Sequence, residues 1–288
     1  MPLQHTLIFL DSGSAEHTRI AKEKIGFLDG QTTNPTYFVK SNPEILKAVE
    51  AGKKFRRDEL FAQYRKLAEE ISPLVPDDGS VSLEVYAEEY STKQDLLDQA
   101  NEMNQWIPND HIKLPIIPVG LETAEVLVQE GIRVNMTLCF DQEQGAAVHC
   151  ATRGAKPGQV FLSPFVSRLD KIGKNGFDIL LNIQKMFQEN KSHVSILAAS
   201  VHSIYDIANI IEHEMDVITI PFEDVAPWVD AGMPTSTSGL EAKDMSRLVR
   251  MKYKELDLSL DWRSFNIHHD LTNKGLRAFV DDWNSVLG

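Results

Sequence analysis

Hydrophobic and polar positions along this chain alternate on two periods. Short apolar runs recur through the first 221 residues: HTLIFL, FLDGQTT, SVSLEV, HIKLP, IRVNMTL, QVFLSPF, VSILAAS and DVITIP. Most end in small or polar residues. They read as short strands buried on both faces. Between them, apolar residues repeat at helical spacing over residues 14–25, 42–71, 91–106, 119–130, 141–153, 174–190, 203–214 and 222–231. VGLETAEVLVQEG sets Leu121, Ala124 and Val128 on one face and stops at Gly131, where a glycine can take the left-handed conformation that ends a helix. SIYDIANIIEHEMD opens at Ser203, whose hydroxyl suits an N-cap.

Eight strands alternating with eight helices predict an α/β protein with a parallel sheet and right-handed crossovers. That number of units favours a closed (β/α)8 TIM barrel. No GxGxxG or Walker loop follows the first strand, which argues against a dinucleotide-binding sheet. After residue 232 the pattern changes. MPTSTSGLEAKDMSRL reads as a polar loop leading into a helix, and the chain ends in an amphipathic helix with Leu276, Phe279, Val280 and Trp283 apolar. The expectation is one domain, residues 1–288. Its barrel spans 1–231, and a C-terminal extension of loop and helices, 232–288, packs on it.

Composition narrows the function. At 288 residues, with 42% hydrophobic and 25% charged content, the chain can bury a large core. A formal charge of −13 argues against nucleic acid or an anionic membrane as partner. A small anionic substrate stays compatible, since a few arginines in a pocket suffice. The two cysteines, Cys139 and Cys150, form no CxxC pair and fit a reducing compartment. The N-terminal MPLQHTLIFLDSGS lacks the basic and apolar regions of a signal peptide. No apolar run reaches the roughly 18 residues of a spanning helix. A cytoplasmic protein is expected. EHE at 212–214 falls on a predicted helix, HH at 268–269 has no partner set, and HExxH is absent, so no metal is expected.

The candidate chemistry lies where barrel strands end, the face on which such barrels carry their sites. Asp11 closes the first run, and Thr33 and Asn34 close the second, before Pro35. Glu84 lies near the end of the third run. Asn135 and Thr137 alternate on the fifth and so face one side. Ser163 and Arg168 follow the sixth; Ser200 and His202 follow the seventh. Each has a plain structural reading: Asp11 as a helix cap, Thr33-Asn34-Pro35 as a turn, Arg168 paired with Asp170. The fourth run does not reduce so easily. HIKLPIIP places Lys113 in the middle of a core strand, and lysine is rarely buried without purpose. Burial disfavours the charged form of an amine, and a neutral amine can attack a carbonyl to form a Schiff base. Glu84 or Asp11 could then serve as acid or base, and Arg168 could hold a phosphate.

With those residues in place, the chain resembles the transaldolase family. DGQTTNPTYF looks like its TTNP strand and HIKLP like its Schiff-base lysine strand. EGIRVNMTLCF is similar to its fifth strand, FLSPFVSRLD to its phosphate-side segment, and ILAASVHS to the strand that follows. The matches keep family order from Asp11 to about residue 221, and FNIHHDLTNKGLRAFVDD resembles the family's helical tail. The resemblance implies that Lys113 forms the Schiff base with a ketose phosphate and that Asp11 is the acid/base for cleavage. Glu84 and Thr137 would hold a proton-relaying water. It further implies that Asn34, with Thr33 beside it, and Asn135 meet the donor's hydroxyls. Ser163 and Phe165 would line the site; Arg168, Ser200 and His202 would face the phosphate. No cofactor is implied. Sugar phosphates are the expected partners, and a homo-oligomer, a dimer or larger, is the expected assembly.

A sister group uses the same barrel as a fructose-6-phosphate aldolase that releases dihydroxyacetone. It typically carries Gln at the position of Glu84 and Tyr at that of Phe165, so both positions here are similar to transaldolases. A third reading is a non-catalytic sugar-phosphate binder. It draws on two departures, PIIP after the lysine and His202 where a basic phosphate ligand is usual; a third departure, Asp141 in place of a serine, leaves room for altered specificity.

Overall fold

The computed structural model describes residues 6–288. His5, the first residue of the first predicted strand, and the start of the stretch tested as a signal peptide lie outside the described residues.

Eight strands form, each followed by one or more helices. β1 (Leu7–Asp11) leads to α1 (Ala15–Ile25), β2 (Gly30–Thr32) to α2 (Pro35–Ser41), α3 (Pro43–Glu50) and α4 (Arg57–Ile71), and β3 (Ser80–Glu84) to α5 (Lys93–Met103). β4 (Asp110–Pro115) precedes α6 (Pro118–Gln129), and β5 (Val134–Cys139) precedes α7 (Gln142–Ala151). β6 (Val160–Pro164) is followed by α8 (Val166–Asp170) and α9 (Gly176–Glu189). β7 (Ser195–Ala198), α10 (Ile204–Glu212), β8 (Val217–Pro221) and α11 (Phe222–Asp230) complete the barrel, and α12 (Asp270–Asn284) follows. The strands pair in parallel in sequence order, and β8 closes on β1. The predicted (β/α)8 barrel is the fold.

The strands are shorter than the apolar runs, and the helices more divided. Residues 42–71 hold two helices, because the chain breaks at Ala51-Gly52, where Gly52 has φ 75°. Two short helices lie outside the spans of helical spacing. α2 begins at the Asn34-Pro35 step, for which a turn is the plain structural reading. Asn34 Oδ1 accepts the Tyr37 N–H at 2.9 Å and Pro35 occupies the first turn, which is a helix start written in two residues. α8, five residues long, is too short to show a period. The helix expected after the polar loop at 233–248 does not form; residues 232–261 contain no helix. Ser203 caps α10 as expected, accepting the Asp206 N–H at 3.0 Å, and Gly131 follows α6 with φ 83°.

Alternation along the strands fills the barrel in layers. A lower layer stacks Phe9, His111 and Phe161, with ring centroids 5.9 Å apart for Phe9–Phe161 and 4.2 Å for His111–Phe161. His111 is buried and joined to Ser80 Oγ at 2.8 Å; burial holds its pKa well below the usual histidine range. Two residues further along each strand the layer is polar. The register sets Glu84 beside Lys113, and Lys113 beside Asn135. α12 lies against α2 and β5. Its Leu276, Phe279 and Trp283 are buried, and Trp283 packs on Phe38 and Tyr64 at 5.5 and 6.0 Å between centroids. Among the described residues, no helix is long and apolar enough to cross a membrane.

The strand bearing Lys113 is braced by α6. A Cβ on Gly120 would overlap the Pro115 carbonyl oxygen at the end of β4. That oxygen also accepts the Ile117 N–H at 2.9 Å, so the peptide cannot turn aside freely. Gly120→Ala is expected to cost about 1–3 kcal/mol through overpacking. Thermal unfolding followed by circular dichroism should show a melting point lower by several degrees.

Candidate active site

Asp11 and Glu84 are the last residues of β1 and β3, and Lys113 is the fourth residue of β4. Asn135 and Thr137 lie on β5, Ser163 on β6 and Arg168 on α8; Thr33-Asn34 follows β2 and Ser200-Val201-His202 follows β7. At the C-terminal end of the barrel a cavity of about 220 Å³ is lined by Asp11, Asn34, Lys113, Ser163, Phe165, Arg168, Ser200 and His202. Eight of the twelve residues singled out in the sequence therefore meet at one opening. Thr33, Glu84, Asn135 and Thr137 lie behind that wall. A larger groove of about 980 Å³ runs outside the barrel between α4 and α5, lined by Arg57, Phe61, Tyr90 and Trp106. It lies away from the strand ends, and the small opening holds the reactive groups.

Lys113 is the centre of the arrangement. Its side chain is 5% exposed and that of Glu84 2%, and Lys113 Nζ lies 3.2 Å from Glu84 Oε2. The two attract by charge, yet their geometry is not that of a directed hydrogen bond, and Oε2 finds no other partner among the described residues. The ammonium instead donates to the Thr33 carbonyl oxygen at 3.1 Å. Burial lifts the Glu84 carboxyl to about 7, outweighing the opposing effect of Lys113. Burial also pushes Asp11 above the usual carboxylate range, against the pull of Lys113 and of the Thr32 hydroxyl. The strand ends thus bring a lysine together with two carboxyls that hold their protons more tightly than free ones do.

Neutral hydrogen bonds fix this centre. Thr32 Oγ1 donates to Asp11 Oδ1 at 2.9 Å and meets Thr219 Oγ1 at 2.7 Å. Asp11 is not the cap of α1; Ser14 is. The Thr33 side chain turns away from the cavity to Tyr64 OH and the Ser82 carbonyl, and Tyr64 OH accepts the Glu84 N–H at 2.8 Å. Asn135 bridges two strands, donating to Ser82 Oγ at 3.0 Å and accepting from Ser163 Oγ at 2.7 Å. Thr137 is buried, and its Oγ1 has no hydrogen-bond partner among the described residues. Thr32, Thr219 and Ser82 were legible in principle, since strand alternation aims them inward with the chosen residues. Tyr64, from the middle of α4, had no such signal.

The mouth has two unlike walls. On the α8 side, the Arg168 guanidinium sits 5.0 Å from the Phe165 ring centroid and 6.0 Å from that of Phe279 on α12. Arg168 does not pair with Asp170, whose carboxylate is held by Lys243 at 2.7 Å. Lys171 lines the same wall. On the other side, His202 Nδ1 faces Asp224 Oδ2 at 3.5 Å, and ligand-type atoms of His202, Glu223 and Asp224 all lie within 4.8 Å of one another. Tyr37 also lines the cavity, and burial together with Asp11 and Glu223 pushes its hydroxyl well above the usual tyrosine range.

A lysine in a closed barrel with carboxyls beside it and an arginine at the mouth is a constellation for carbonyl chemistry on an anionic substrate. Comparison with known proteins points the same way. Residues 8–288 match the family model described as Transaldolase/Fructose-6-phosphate aldolase. The chain belongs to this family. It is 29% identical to a probable transaldolase of Dehalococcoides mccartyi over 97% of this chain and 98% of that one. It is 30% identical to another from Bartonella henselae, over 96% of each. A third, from Brucella abortus, shares 29% over 96% of this chain and 95% of its own. In this transaldolase/aldolase chain, the matched span contains every site residue named above.

Glu84 also makes a stability signal. Its carboxyl is raised from 4.5 to about 7 in the folded protein. Between those values the folded state keeps a proton that the unfolded chain releases. Its contribution to stability is therefore complete below pH 4.5 and is lost as pH rises through 7. Urea unfolding of wild type and Glu84→Gln at pH 4.5 and 7.5 should show the wild type losing more than about 1 kcal/mol relative to the variant on going to the higher pH.

Proposed function

We propose that this chain is a transaldolase. In this reading it moves a three-carbon dihydroxyacetone unit from a ketose phosphate, such as sedoheptulose 7-phosphate or fructose 6-phosphate, to an aldose phosphate, as in the pentose phosphate pathway. The observation that carries the reading is the buried contact of Lys113 with Glu84 at the floor of a cavity that also holds Asp11 and Arg168. Two buried free cysteines agree with work in a reducing cytoplasm.

The proposed steps follow from the chemistry of the groups. Neutral Lys113 Nζ adds to the C2 carbonyl, and the carbinolamine loses water to leave an iminium. The leaving hydroxyl takes a proton from a water held by Glu84 and Thr137, whose buried side-chain oxygens Oε2 and Oγ1 have no hydrogen-bond partner among the described residues. Asp11 then removes the C4 hydroxyl proton. The C3–C4 bond breaks, its electron pair runs to the iminium nitrogen, and an aldose phosphate departs. The enamine on Lys113 attacks the aldehyde carbon of the acceptor, and Asp11 returns its proton to the new hydroxyl. Addition of water to the iminium releases the product ketose and restores the amine. Asn34, Asn135 and Ser163 hold the donor's hydroxyls, and Arg168 with Ser200 holds its phosphate.

Release of free dihydroxyacetone, the aldolase alternative, needs the enamine carbon to take a proton from water, and a second water then to add to the resulting iminium, before an acceptor is attacked. Phe165 presents a ring without a hydroxyl and packs on Arg168, so the side chain at this position gives water no hydrogen bond. That favours transfer over release.

Borohydride added with fructose 6-phosphate should fix a covalent adduct on Lys113, visible by peptide mass spectrometry. A folded protein that gains no mass would overturn the Schiff-base reading. Lys113→Met should lose at least about a thousandfold in kcat and Asp11→Asn about a hundredfold or more, with unchanged circular dichroism. Cleavage of fructose 6-phosphate should depend on added erythrose 4-phosphate; equal rates without it would move the assignment to the aldolase.

A further inference from the structure

We infer that Lys171 is the second cation of the phosphate subsite and places the substrate's anionic end against α8 rather than against His202. This deepens the sugar-phosphate reading and rests on it. α8 carries Arg168 and, at its C-cap, Lys171. Three residues apart, they share a helix face, and both line the cavity. Lys171 is exposed and, among the described residues, takes part in no ion pair. The nearest acid in sequence is already engaged. Asp170 accepts from Lys243 at 2.7 Å and from the Gly176 N–H at 2.8 Å. Lys243 also reaches Asp206, at 2.8 Å. Lys171 thus keeps its charge for the opening.

The surroundings of His202 repel an anion. His202 faces Asp224, with Glu223 beside it. A phosphate there would sit against two carboxylates. On the α8 wall it meets Arg168, Lys171 and the Ser200 hydroxyl, and Ser167 ties that wall to the Ser200 carbonyl. Ser200 itself adopts φ 56°, a conformation in which a side chain is strained. The hydrogen bonds from Ser167 keep it there. Within a chain of net charge −13, α8 brings two cations to the cavity, and among the described residues the one carboxylate lining it is that of Asp11 on β1. Substrates with a phosphate are selected over neutral ketoses by these cations, and Lys171 supplies part of that preference.

Titration with inorganic phosphate and trapping with two ketoses test the assignment. Lys171→Met should weaken phosphate binding about tenfold, the scale of losing one charge-assisted contact, and Lys171→Arg should restore most of it. In borohydride trapping at Lys113, the variant's loss should be about tenfold greater for fructose 6-phosphate than for dihydroxyacetone, which has no phosphate. Unchanged phosphate affinity in Lys171→Met, or equal losses with both ketoses, overturns the inference. Failure of the wild type to trap either ketone would defeat the Schiff-base reading, and the phosphate titration would still decide the role of Lys171.

Discussion

The structure depends on keeping an ammonium and a carboxyl out of water. Lys113 and Glu84 face each other 3.2 Å apart at the level where a closed barrel is dry. Removing two ions from water costs several kcal/mol each, and attraction alone seldom compensates. Here the cost is met by sharing. Glu84 shifts toward its neutral form, and Lys113 donates to a backbone oxygen at the end of β2. A ring of hydroxyls and amides on β2, β3, β5, β6 and β8 holds the surrounding positions. An apolar core would be more stable. The polar layer is held by the hydrogen bonds of Thr32, Asn135 and Ser163, and such a network fixes one arrangement; Glu84 Oε2 and Thr137 Oγ1 are left without hydrogen-bond partners among the described residues.

That arrangement sorts acidic groups by depth. Glu84, at the floor, is dominated by burial and sits near neutrality, where a group can both give and take a proton. Asp11, at the cavity wall, is raised too, but Thr32 donates to its carboxylate and Lys113 lies near in charge. Asp224 and Glu223 stand at the rim, beside His202. The same residue type thus meets three environments within one opening. The differences come from register: a shift of one residue on β3 would aim Glu84 out of the barrel.

Much of this was legible in the sequence, and the failures share a cause. Strand and helix periods revealed the barrel because each strand is buried on both faces and each helix on one. The inward residues followed from alternation, so Asp11, Lys113 and Ser163 could be set at one rim before any coordinates. What escaped was short or distant. α8 has five residues, fewer than two turns, and leaves no period. Asn34-Pro35 carries a helix signal beside its turn reading, and the same Asn34 side chain caps α2 while the residue lines the cavity. Tyr64, which holds both Thr33 and Glu84, reaches the site through tertiary packing of α4. Nothing local marks it apart from any other aromatic on a helix. The helix expected after the polar loop at 233–248 does not form.

The C-terminal helix shows how far the site extends beyond the strands. β5 breaks its register after Met136, and Leu138 takes φ 62°, a strained choice for a leucine. Its carbonyl is caught by Thr272 Oγ1 at 2.9 Å, and Gln144 links Thr272 back to the loop after β5. α12 can come this close because Gly275 has no side chain: a Cβ there would lie 2.6 Å from a Leu138 methyl and 2.9 Å from Arg168 Nη1. Phe279, one turn on, then packs its ring beside the same guanidinium. The tail therefore holds the strained peptide that follows Thr137 and the cation at the mouth in one contact. A barrel of strands and surrounding helices would place the lysine; the geometry of the arginine that faces it is set from the last helix of the chain.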